Sequence, residues 1–65
     1  MNEITRERAQ QLFTMMMFLR NSGKYTITRL EARLPPSYEN YQLRQDNKVV
    51  AELDYRANKF YYVEF

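Results

Sequence analysis

Histidine and cysteine carry much of the chemistry of small proteins, and this 65-residue chain contains neither. That removes the thiolate nucleophile, the imidazole base, the disulfide and the usual nitrogen and sulfur ligands of zinc. The single glycine, Gly23, leaves no glycine-rich loop to cradle a phosphate. Carboxylates remain, and Glu52 and Glu64 are the pair closest to acid–base work, because an alternating strand pattern sets them opposite each other. Like charges across a strand pair are unfavourable, but Arg44 falls diagonally beside Glu52, and the group reads as a surface salt-bridge cluster. The sequence offers no catalytic residue, no metal ligand and no cofactor motif, so the expected function is binding.

Two sets of residues could bind. Arg29, Arg33, Arg44, Lys48, Arg56 and Lys59 could contact phosphates, with Phe60 and Tyr62 as stacking platforms for unpaired bases. Met15, Met17 and Phe18, with Phe60 and Tyr62, could instead form a protein interface, and the final strand, Lys59 to Phe65, is a candidate free edge for an added strand. Pro35-Pro36-Ser37-Tyr38 matches a Pro-Pro-x-Tyr ligand pattern, although two prolines after a short helix are already explained as its stop.

Composition narrows the classes. Sixty-five residues make one domain, 1–65, burying only about 60% of its unfolded surface, which leaves no room for a sizeable catalytic cleft. The net charge is +2; residues 24–48 carry five basic and three acidic side chains, and residues 49–65 carry two and three. This balance permits nucleic-acid binding without demanding it. The longest apolar run, Leu12 to Leu19, is broken by Thr14 and falls far short of the ~20 residues that span a bilayer. A cysteine-free chain with no secretory leader pattern points to the cytoplasm, and the initiator-like Met1 suggests a complete product.

The elements that must position these residues follow from periodicity. Ala9, Leu12, Phe13, Met16 and Leu19 share a helical stripe, predicting a helix over 3–21 capped by Asn2 and stopped at Asn21-Ser22-Gly23. Met15, Met17 and Phe18 lie off that stripe, so the last two turns are apolar over more than half their circumference; a core that wraps the helix or a homodimer surface would absorb them. Thr28-Arg29-Leu30-Glu31 matches a capping box, predicting a short second helix that ends at Leu34 before Pro35. From Asn40 onward apolar residues take the odd positions, which predicts an antiparallel meander. Turns at Asp46-Asn47-Lys48 and Ala57-Asn58-Lys59 would pair Leu43 with Ala51, Leu53 with Val63 and Tyr55 with Tyr61. The fold class is α+β, with 37–45 open between strand and a helix capped by Ser37.

The stretch from Leu19 to Leu34, followed by an ambiguous segment and a hairpin, resembles the winged helix-turn-helix family in element order. That resemblance implies duplex DNA binding and transcriptional regulation, with 37–45 as the recognition helix and 49–65 as the wing. It places Ser37, Tyr38, Asn40, Gln42 and Arg44 toward the major groove and Arg56 and Lys59 at the wing tip. The alternative partner is a protein, for which the chain would serve as a small inhibitor or adaptor.

Overall fold

In the computed structural model, which describes residues 1–31 and 39–65, the chain is α+β: one helix lies on a five-stranded antiparallel sheet. The elements are β1 (Asn2–Ile4), α1 (Arg6–Asn21), β2 (Thr26–Glu31), β3 (Glu39–Gln45), β4 (Lys48–Arg56) and β5 (Lys59–Glu64). The sheet order is β1-β5-β4-β3-β2, so the helix carries the chain from one sheet edge to the other.

The helix forms on the expected stripe, burying Ala9, Leu12 and Met16, but it starts three residues later than its pattern suggested. Thr5, extended at ψ 160°, is the N-cap, and its hydroxyl accepts the Arg8 backbone N–H at 3.1 Å. Asn2 is not a cap. It lies in β1, where Asn2, Glu3 and Ile4 pair with Tyr62, Tyr61 and Phe60 and cover the flank of β5. At the other end the Ser22 N–H donates to the Leu19 carbonyl, and Gly23 takes φ 83°.

The short second helix is not seen. Thr28 to Glu31 belong to β2, which pairs along its whole length with β3 from Thr26↔Arg44 to Glu31↔Glu39. A capping box satisfies two backbone donors locally, whereas this ladder bonds one side of a six-residue strand and suits the β-branched run Thr26-Ile27-Thr28. The rest of that expected helix, from Ala32 to Leu34, lies outside the described residues. The ambiguity over 37–45 resolves to strand for Glu39 to Gln45, while Ser37 and Tyr38 lie outside the described residues.

Both hairpin turns hold two residues instead of three. Asp46 and Asn47 (φ 52° and 66°) and Ala57 and Asn58 (φ 51° and 63°) are all left-handed, the type I′ geometry whose twist matches flanking strands. In the first hairpin the spare residue becomes a β-bulge at Val50, which preserves the expected Leu43↔Ala51 pair. In the second nothing absorbs it, and the register slips by one to Leu53↔Tyr62 and Tyr55↔Phe60. A one-residue slip reverses a strand's faces. Phe60 and Tyr62 therefore pack against the core, and Tyr61 and Val63 take the opposite face.

The core sits between α1 and one face of the sheet, where Ala9, Met16, Leu43, Ala51 and Leu53 meet and Ile4, Phe13, Ile27, Tyr41, Phe60 and Tyr62 pack around them. A five-stranded sheet is roughly 19 Å wide and a helix with its side chains roughly 10 Å. One helix covers about half of such a face.

Candidate functional site

The half that α1 does not cover holds a groove among the described residues. It lies between the N-terminal half of α1 and strands β3, β4 and β5, has a volume of about 520 Å³, and is lined by Arg6, Phe13, Tyr41, Leu53, Tyr55 and Phe60, with Gln10 and Thr14 along its helix rim. Helical spacing explains the upper wall, since positions 6, 10, 13 and 14 share the flank next to the buried stripe. Strand alternation explains the floor, because Tyr41, Leu53 and Tyr55 all point toward the helix.

The groove is built from aromatic rings in contact. Phe13 meets Tyr41 edge to face at 5.1 Å between centroids, and Tyr55 meets Phe60 at 4.5 Å and 37°. Two guanidiniums bracket these rings, Arg6 over Phe60 and Arg29 over Tyr41, each 6.0 Å from its centroid. Asp54 borders the groove through its backbone, for its side chain points to the other face and accepts a hydrogen bond from Asn40 Nδ2.

That other face carries a polar network. Arg44 Nη2 donates to Gln42 Oε1 at 2.9 Å, and Gln42 Nε2 donates to Glu52 Oε1 at 2.8 Å. Asn40 and Asp54 are buried at its centre. Desolvation, followed by the charge of Glu52, pushes the Asp54 carboxyl above the ordinary carboxylate range, opposed by Arg56 and the Asn40 hydrogen bond. Near the end of this face the Arg56 guanidinium stacks on the Tyr61 ring at 4.7 Å.

The residues proposed for nucleic acid are therefore dispersed. Asn40, Gln42 and Arg44 share the sheet face turned away from α1 but lie on a strand, not on a recognition helix, because β3 is held between β2 and β4. Arg29 is on the helix side with Tyr41, and Lys48 and Arg56 stand at opposite ends of the nine-residue β4, roughly 26 Å apart. Arg33, with Ser37 and Tyr38, lies outside the described residues, as does the Pro-Pro-x-Tyr pattern. Lys59 pairs with Arg56 beside the second turn.

Among the proposed interface residues, Phe18 is 75% and Met15 39% exposed on the outer surface of α1, while Met17 is half-buried. Phe60 and Tyr62 are half-buried against the core and are not free platforms. The last strand is not an edge, since β5 is paired on both sides by β1 and β4. The edges of the sheet are β1 and β2. Glu52 and Glu64 are not opposed either: the slipped register sets Glu52 against Val63 and Glu64 against Ala51, on opposite faces.

Arg6, Gln10 and Thr14 lie off the stripe of Ala9, Leu12, Phe13, Met16 and Leu19, and they become rim residues because the sheet is wider than the helix. Periodicity places residues on faces but does not state how much of a face is covered. No family model matches the chain, and neither a curated protein nor a solved structure matches it. Among the described residues no helix is long and apolar enough to cross a membrane.

Proposed function

We propose that this chain is a non-enzymatic protein-interaction module that grips apolar side chains of a partner in the groove between α1 and the sheet. The observation that carries the reading is the aromatic floor: Phe13, Tyr41, Tyr55 and Phe60 converge on one concave surface of about 520 Å³. Sites that hold a ligand are typically concave and largely apolar, of roughly 300–1,000 Å³, with a few polar groups that orient the occupant. Here Arg6 and the rim amide of Gln10 are those groups. The absence of cysteine and histidine from the sequence agrees with a binding role.

The test fills the groove without cutting into the core. Gln10 and Thr14 are exposed rim positions, so Gln10→Trp or Thr14→Trp should occupy the groove and leave the buried stripe intact. A random peptide library selected on the natural chain should enrich sequences with adjacent aromatic or aliphatic residues. Those peptides should lose binding to either tryptophan variant. Equal enrichment on natural and filled forms would remove the groove from the function.

Nucleic acid is the second reading, favoured by the Arg56–Tyr61 contact beside Lys59 on the sheet face turned away from α1. Against it, Glu52 and Asp54 occupy the centre of that face, where a phosphate backbone would have to cross. Fluorescence anisotropy of a mixed duplex and a single strand at about 50 and about 200 mM salt decides between them, because several phosphate contacts would make affinity collapse across that range.

A further inference from the structure

We propose that the partner segment accepted by the groove carries a carboxylate next to its apolar anchor, and that Arg6 is the residue that recognises it. The inference rests on the groove reading above and adds the chemistry of the occupant. Arg6 is exposed, stands at the first helical position of α1, and lines the groove with its guanidinium held over the Phe60 ring. It makes no ion pair with a carboxylate among the described residues.

Charge complementarity selects the occupant. Asp54 has its carboxyl on the opposite face, bonded to Asn40, so it does not answer Arg6. Glu7, in the same helical turn, is turned about 100° away and does not line the groove. The N-terminus of α1 adds to the positive potential at the Arg6 end of the groove. The Arg6 guanidinium, exposed and 6.0 Å from the Phe60 ring centre, offers a planar fork of donors that matches the two oxygens of a carboxylate. One such fork above an apolar floor suits a singly charged group better than a phosphate dianion.

The experiment uses two peptides, acetyl-Asp-Phe-Leu-Phe-amide and its asparagine counterpart, titrated against the full chain while backbone amide NMR shifts are followed. Both should move amides of groove residues such as Phe13, Tyr41 and Phe60. The aspartate peptide should bind roughly threefold tighter, the size of a partly exposed ion pair. Arg6→Gln should remove that preference and Arg6→Lys, which keeps the charge but not the fork, should keep only part of it, with unchanged shift dispersion showing that both variants fold.

Equal affinity of the two peptides, with shifts still confined to the groove, would overturn the carboxylate inference and leave the groove reading standing. A preference that survives in Arg6→Gln would overturn the role of Arg6. Groove amides that move with neither peptide, or that move with protein concentration alone because a second copy fills the groove, would overturn both the reading and the inference.

Discussion

Replacing Met16 by alanine should cost far more stability than the same change at its neighbour Met15, and the size of the gap tests how α1 sits on the sheet. Met16 is 0% exposed and Met15 39% exposed, although both belong to the same three-methionine run. Truncating a fully buried methionine removes three heavy atoms and leaves a cavity, at about 2–5 kcal/mol; a surface change usually stays within about 0.5 kcal/mol. A chain of 65 residues has only about 3–10 kcal/mol in total, so Met16→Ala stands to lose a large fraction of it. At about 4–8 °C per kcal/mol, a loss of ~3 kcal/mol lowers Tm by roughly 12–24 °C. Thermal unfolding followed by circular dichroism gives both numbers. If the two alanine variants unfold within about 0.5 kcal/mol of each other, the burial pattern of α1 and the groove built on its flank are refuted.

Burial and the neighbouring Glu64 push the Tyr62 hydroxyl from 10.0 up to about 12, so its neutral form contributes stability that is intact below pH 10 and lost as pH climbs toward 12. Phenolate absorbance should show one of the six tyrosines ionising late, and Glu64→Gln should bring it earlier. Asp54 is raised chiefly by desolvation, so its protonated form favours the fold and stability falls as pH rises above 3.8. Asp54→Asn should flatten that fall and raise the denaturant midpoint at neutral pH; an unchanged pH profile would remove Asp54 as its source. Ala57 holds φ 51° in a type I′ turn, a conformation asparagine tolerates better than alanine, so Ala57→Asn should add about 0.5–1 kcal/mol in urea unfolding.

The helix was legible because Ala9, Leu12, Phe13, Met16 and Leu19 repeat over about three turns, and a long periodic signal has few competitors. The Thr28 capping box misled because it is a local motif, and its residues gained more from a six-residue ladder with β3. The β4–β5 register was missed by one residue. Asp46-Asn47-Lys48 and Ala57-Asn58-Lys59 look alike in the sequence, yet only the first hairpin carries a bulge that restores the expected pairing. That single residue decides whether Phe60 and Tyr62 or Tyr61 and Val63 meet the helix. The groove was half legible: alternation put Tyr41, Leu53 and Tyr55 on the inner face, but Arg6 and Thr14 become rim residues only because one helix cannot cover five strands.

Mapping a selected peptide onto the chain by amide shifts, at about 50 mM and again at about 500 mM salt, reaches the central claim most directly. An apolar groove predicts perturbations at Ala9, Phe13, Tyr41, Leu53 and Phe60 that persist at the higher salt, since the floor is aromatic and screening acts only on the rim. Perturbations centred on Asn40, Gln42 and Arg44, or on Met15 and Phe18, would place the binding surface elsewhere and contradict the account.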